Sequence, residues 1–347
     1  MARCTQRVRA VIRSLASSAP GFAVTAISVV LLWQVIPWTP TVTSLRAADP
    51  VFVGLAVLCL VASLIAKTVR WRLLLPEASP VTTPRLYRIL HISFLLNNVL
   101  PARLGDVARV AMTSRQPGIR LGHVLSSMLT ERVTDTVTLM LCFLAVAPFL
   151  PVPARYEGLK TAAWVVIAGL AVTSAVAGVF RDRLNAVAHS ERLRRRLPAN
   201  RRIRAEAASF ADGVARLFAR DRVVHIWGWS WTAWVGAFAI NYLLMRALNI
   251  DAPFAVAVLL TCTTNLAMLL PSSPGAIGVF HVAATASLLP FGVPEARALS
   301  FAILAHLVNV VPVSLIGAAL LLAGHERLSP WALRREAELA TQRTSDG

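Results

Sequence analysis

Apolar residues in this chain fall in long unbroken blocks, not in the alternation of a half-buried strand or the spacing of an amphipathic surface helix. A bilayer core takes roughly 20 consecutive, mostly apolar residues per crossing helix. Six stretches answer to that: Gly21 to Trp38, Pro50 to Ala66, Ser126 to Leu150, Thr161 to Phe180, Val223 to Leu248 and Ala296 to Ala323. Two more, Leu86 to Leu100 and Ala252 to Leu270, run into a proline and glycine interruption. A membrane barrel needs alternating segments of about ten residues, and these blocks are too long and too uniform for it. The predicted fold class is therefore an all-α polytopic membrane protein with about six full spans plus two re-entrant hairpins.

Charge fixes a predicted orientation. The 347 residues are 56% apolar and hold 35 Lys plus Arg against 17 Asp plus Glu, a net charge of +18. With both termini cytoplasmic, 29 of the basic residues fall in cytoplasmic segments and five on the opposite side, with Arg132 inside a span. That assignment requires both interrupted segments to enter and leave on one side, as hairpins near 86–113 and 252–290. The expected organisation is a basic arm over 1–19, a first repeat over 20–150, a second over 161–323 with a basic linker at 181–222, and a cytoplasmic tail over 324–347. Arg3, Arg7, Arg9 and Arg13 precede the first block as they would a secretory signal. No small-residue cleavage site precedes the outer loop and further spans follow, so the block reads as an uncleaved first helix.

The positive charge is explained by retention on the cytoplasmic side and by anionic lipid heads, without nucleic acid, since no basic and aromatic interleaving of the single-strand-binding type occurs. Cys4, Cys59, Cys142 and Cys262 contain no CxxC pair and suggest neither a disulfide framework nor a zinc site. The only lysines, Lys67 and Lys160, lack the glycine spacing of a phosphate-binding loop. No metal, cofactor or catalytic residue is expected.

The two interruptions resemble each other. Leu100-Pro101-Ala-Arg103-Leu-Gly105 and Leu270-Pro271-Ser272-Ser273-Pro274-Gly275 share an LPxxxG core, and in the helices that follow Arg132 aligns with His306 and Asp135 with Asn309. Because the predicted topology has the first hairpin enter from the cytoplasm and the second from outside, the halves form an inverted-topology repeat, an architecture recurrent among secondary transporters.

Candidate chemistry sits at these breaks. A turn at membrane depth leaves backbone groups without partners unless protein or a wet cavity supplies them. In the first hairpin, Asn98, Arg103, Gly105, Asp106 and Arg109 would line such a cavity, with the arginines facing an anion; the alternative is an ordinary cytoplasmic loop. In the second, Ser273 followed by Pro274 predicts a helix start running toward Leu289, whose amides would attract phosphate or carboxylate. Pro271, Ser272, Gly275, Gly278 and His281 complete that segment, and the alternative is a plain extracellular turn. Glu131, Arg132 and Asp135 fall on one face of a span, where each such residue costs roughly 2.5–3.5 kcal/mol at a helix centre. They are expected to form a compact ionic group or, alternatively, to project into the cytoplasm. His306 is either a packing residue or a proton carrier, with Asn309 one turn on and Pro312 bending the helix. Trp227, Trp229, Trp231 and Trp234 read as an interfacial belt, and the linker as a helix along the inner leaflet.

Three motifs in order, Asn98-x-Leu-Pro-x-Arg-x-Gly-Asp-x-x-Arg109, Glu131-Arg-x-x-Asp135 and Pro271-x-x-Pro-Gly-x-Ile-Gly278, resemble the flippase-like membrane family typified by the transmembrane region of lysylphosphatidylglycerol synthase. The resemblance runs from about Pro50 to Gly324. It implies a polytopic domain that moves lipids or lipid-linked sugars between leaflets; the family also includes proteins described as dolichol-phosphate glucose synthetases. Aminoacyl transfer in lysylphosphatidylglycerol synthase belongs to a separate soluble domain not recognised in this sequence, so it is not inherited. Many family members carry a glutamate where this chain has His281. The expected function is translocation of a phospholipid or polyprenyl-phosphate-linked intermediate across the inner membrane, with anionic lipid or a lipid-linked sugar as partner. The alternatives are a glycosyltransferase using polyprenyl-phosphate sugars, with Asp106 or Glu131 as base, and a non-catalytic subunit of envelope assembly.

Overall fold

Asp49 and Pro50 start the first long helix. The Asp49 side chain accepts from the Val51 amide at 2.8 Å, and Pro50 occupies a first-turn position where no donor is needed. The computed structural model describes residues 38–100, 103–146, 150, 165, 201–217, 220–268 and 274–323. The spans expected at 21–38 and 161–180 lie outside these residues, except for Trp38 and Val165, as do Pro271, Ser272, Ser273 and the tail.

Every regular element among the described residues is helical. In chain order these are α1 (Trp38–Arg46), α2 (Pro50–Leu74), α3 (Thr83–Val99), α4 (Leu104–Thr113), α5 (Leu121–Val146), α6 (Arg201–Leu217), α7 (Arg220–Ala247), α8 (Phe254–Ala267), α9 (Val279–Leu288) and α10 (Glu295–Leu322). Two of them, α2 and α10, are both long and apolar enough to cross a membrane. Helices α5 and α7 match them in length but carry more polar residues.

Helix α2 passes its expected end at Ala66 and continues to Leu74, because the polar residues beyond are covered: Thr68, Arg70 and Trp71 are all buried. It stops where Arg72 folds over its C-terminus, donating to the carbonyls of Pro76, Glu77 and Ser79 at 3.1–3.4 Å. The short α1 has no counterpart in the sequence reading. It packs on α10, where Ser300 donates to the Thr41 carbonyl at 3.2 Å.

Both interrupted segments are broken helix pairs. Helix α3 ends at Val99 and α4 begins at Leu104, while α8 ends at Ala267 and α9 begins at Val279. Helices α4 and α9 have ten residues each, about 15 Å of rise, against a hydrocarbon core of about 30 Å. Neither can cross alone.

Helix faces approach closely at glycines, as expected where packing rather than water exclusion holds helices together. A Cβ on Gly236 of α7 would strike the Ser63 hydroxyl of α2, and one on Gly317 of α10 would lie 2.6 Å from the His91 carbonyl of α3. On α5, Gly122 and Gly213 of the facing α6 do the same, and the Gly122 amide donates to Glu206 at 2.7 Å. The linker helix is thus docked on α5. Apolar clusters fill the spaces between α2, α7, α8, α9 and α10, around Trp71 between α2 and α5, and around Cys142 and Phe238. Cys59, Cys142 and Cys262 are free thiols.

Candidate functional site

The two helix breaks touch. Arg103, the residue before α4, has φ 53° and ψ 39°, a left-handed conformation that costs a non-glycine residue roughly 1–2 kcal/mol. From there its Nη2 donates to the Met268 carbonyl at 2.5 Å. Met268 closes the C-terminus of α8, where the last carbonyls lack helical partners and the helix dipole is negative. Asn98 donates its Nδ2 to Ser314 Oγ of α10 at 3.0 Å. A Cβ on Gly275 would lie 3.6 Å from the Asn98 carbonyl oxygen and 4.0 Å from His306 Nε2. The first turn, the second turn and α10 therefore meet at one place.

The second turn starts its helix later than Ser273-Pro274 predicts. Pro274–Ala276 forms a single 3-10 turn, and Gly275, Ala276 and Gly278 have φ of 67°, 55° and 92°. Left-handed residues cannot propagate a right-handed helix, so α9 begins at Val279. The Gly278 amide donates to His281 Nδ1 at 3.4 Å. His281 and His306 face each other with ring centroids 4.9 Å apart, and the Phe280 ring meets both edge-on. Asn309 does not join them: it is exposed and bonds back to the Ala305 carbonyl.

A charged cluster draws together α2, α4, α5 and α7. Glu131 is held by both Nη atoms of Arg109, at 2.8 and 3.4 Å, and the Arg109 guanidinium lies 3.8 Å above the Trp71 ring. Asp135 accepts from Arg70 Nη1 at 2.5 Å and from Trp234 Nε1 at 3.0 Å. Arg70 also donates to Ser230 at 2.9 Å and stands 3.8 Å from Glu131. Asp106, in the first turn of α4, exchanges two hydrogen bonds with Asn97 and stands 3.7 Å from Arg132. The turn that brings Asn97 to Asp106 depends on Gly105, where a Cβ would strike the Ser93 carbonyl and the Asn97 side chain.

Glu131, Arg132 and Asp135 thus do not form a group among themselves. Each takes a partner from another helix, because a low-dielectric interior leaves neighbours on one face too few donors for two carboxylates. Arg109 is 3% exposed and paired, whereas the Arg132 side chain is 55% exposed and Arg103 is exposed. Sequence reasoning missed Arg70, Trp71, Ser230, Ser314 and Lys67, whose ammonium lies 5.2 Å from the Trp234 ring centre. Lys67 and Arg70 were counted among loop charges; their spacing with Trp71, three and four residues apart on one helical face, was the signal available. Trp234 belongs to no belt: it is 4% exposed and turned onto Asp135.

The chain is 27% identical over 324 residues to Glycosyltransferase AglD of Haloferax volcanii, a match covering 83% of this chain and 51% of that protein, so the chain spans about half the length of that relative. It is 23% identical over 325 residues to the UPF0104 membrane protein PH1989 of Pyrococcus horikoshii, covering 88% of this chain and 96% of that one. The lysylphosphatidylglycerol synthase TM region matches residues 21–317, which include both helix breaks and the charged cluster. The chain is a helical membrane protein and belongs to the family of the lysylphosphatidylglycerol synthase transmembrane region.

Proposed function

We propose that this protein translocates a phosphate-bearing lipid, either a phospholipid or a polyprenyl-phosphate-linked intermediate, between the leaflets of the cell membrane. The observation that carries the reading is the meeting of the two helix breaks, with Arg103 reaching Met268 and Asn98 reaching Ser314. Non-helical backbone at membrane depth is tolerated where it is buried in protein or borders a polar path. An arginine and two histidines at that point suit an anionic headgroup in transit.

The order of elements supports an inverted repeat of six spans and two hairpins: a long helix, a broken pair and a long helix in α2 to α5, then the same in α7 to α10. The distribution of basic residues supports cytoplasmic termini. On that reading the charged cluster lies toward the cytoplasmic leaflet, with the exposed Arg132 as the first contact for substrate.

The test is leaflet exchange of fluorescent phospholipid in proteoliposomes, read by chemical quenching of the outer leaflet. Native protein is expected to expose label beyond the outer-leaflet share, and Arg103→Ala to lose most of that gain. Exchange equal to that of empty liposomes, for phospholipid and polyprenyl-phosphate lipid alike, overturns the reading.

A second reading, sugar transfer from a polyprenyl-phosphate donor, is favoured by the name of the Haloferax relative. Against it, the candidate bases are both engaged, Glu131 by Arg109 and Asp106 by Asn97 and Arg132. Sugar transfer by the pure protein would promote it.

A further inference from the structure

The charged cluster has one cation too many. Three arginines face three carboxylates: Arg70 pairs with Asp135 and stands 3.8 Å from Glu131, Arg109 pairs with Glu131, and Arg132 stands 3.7 Å from Asp106. Lys67 is left over. It precedes Arg70 by one turn of α2, faces the Trp234 ring at 5.2 Å, and makes no hydrogen bond or ion pair with any described residue. Lys67 is half-buried, and a cation–π contact of this length contributes about 0.5–2 kcal/mol while supplying its ammonium with neither a hydrogen-bond acceptor nor a counter-charge.

The surplus extends to hydrogen-bond donors. Arg70 Nε and Nη2 and Arg109 Nε are buried without a hydrogen bond, the Glu131 carboxylate being too far from Arg70 Nη2 at 3.8 Å to accept one, although such donors are nearly always satisfied in folded proteins. Three guanidinium nitrogens and one ammonium, gathered where α2, α4, α5 and α7 meet, call for several oxygen acceptors carrying at least one negative charge. A carboxylate side chain could supply two oxygens, but every carboxylate of the cluster is already engaged. A phosphate offers more acceptor positions and the missing charge.

We infer that Lys67, with the unsatisfied faces of Arg70 and Arg109, forms a binding site for the phosphate anion of a lipid headgroup, entered past the exposed Arg132. Lys67 acts there as a point charge on a flexible stem, able to follow a moving phosphate in a way that the stacked and forked Arg109 cannot. The identification of the phosphate as a lipid's rests on the translocation reading; the anion site itself does not.

Binding can be measured apart from movement by titrating the full-length protein in detergent and following its unfolding midpoint. Three compounds serve: dioctanoyl phosphatidic acid, inorganic phosphate, and dioctanoylglycerol, which has no phosphate. Phosphatidic acid should stabilise the native protein and Lys67→Arg, and bind Lys67→Gln and Lys67→Met about tenfold or more weakly, the loss expected of one charge-assisted contact. Two neutral variants are used so that a folding failure in one leaves the other. Equal stabilisation by inorganic phosphate at equal concentration supports the site but assigns it to the free anion. No phosphate-dependent shift in the native protein, or native-like titration in either folded neutral variant, overturns the inference. Intact binding with absent leaflet exchange counts against translocation alone.

Discussion

Arg103 donates its Nη2 to the main-chain oxygen of Met268 at 2.5 Å, tying the turn of one broken helix pair to the turn of the other. Arg103 does so from a left-handed backbone conformation that glycine would adopt without strain. Stability and function therefore separate at this position. Arg103→Gly should keep or slightly raise the unfolding midpoint, since the relieved strain of roughly 1–2 kcal/mol offsets the lost bond, while leaflet exchange falls about tenfold or more. Arg103→Lys should retain part of the exchange. Wild-type exchange by Arg103→Gly would mean the residue has no part in transport.

The Arg109 and Glu131 pair predicts a different pattern. Arg109 is buried and the Glu131 side chain is 13% exposed, so taking away one partner strands the other, a loss of up to about 3–5 kcal/mol. Glu131→Gln and Arg109→Gln should each sharply lower the yield of folded protein. The double variant, which strands no charge, should recover much of it, and a double-mutant cycle on unfolding midpoints in detergent would measure the coupling. Additive losses would sink the idea that this pair is a closed unit.

Gly105 should tolerate no side chain. A Cβ there would overlap the backbone oxygen of Ser93 and the Asn97 amide, and neither can withdraw without opening the α3–α4 turn and releasing Asp106. Gly105→Ala is expected to lower the unfolding midpoint by several degrees, about 2 kcal/mol or more. Accessibility of a cysteine placed at Val107, now exposed at 40%, to a water-soluble thiol reagent should rise in the same variant.

The docked linker helix makes a fourth prediction. Glu206 accepts from the Gly122 amide in the first turn of α5, acting as an N-cap supplied by another helix beside the positive dipole end. Glu206→Ala should cost about 0.5–2 kcal/mol, and Glu206→Gln less, in thermal unfolding of the detergent-solubilised protein. Proteolysis within residues 201–217 should speed up in parallel.

Most of the described helices were legible in the sequence because long apolar blocks mark them, and both breaks were legible because proline and glycine interrupt those blocks. The end of α2 was not, since Lys67, Thr68 and Arg70 look like the start of a loop until α7 is known to cover them. Arg103 and Asp106 stand out in the sequence by their place at the proline and glycine break, and Glu131 and Asp135 as charges within an apolar block. Their partners were hidden: Arg70 lies 65 residues from Asp135 and Trp234 lies 99 residues away, and no local spacing links groups that only helix packing brings together. The start of α9 was misplaced because Ser273-Pro274 is a sound local signature, overruled by three left-handed residues that follow it.

Arg103 grips an atom that every amino acid possesses. The carbonyl of residue 268 is the same whether its side chain is methionine, leucine or alanine, so the latch between the two helix breaks is encoded on one side only. A genetic search for compensating changes after loss of Arg103 should accordingly return nothing at position 268, and related sequences are free to drift there while keeping the contact.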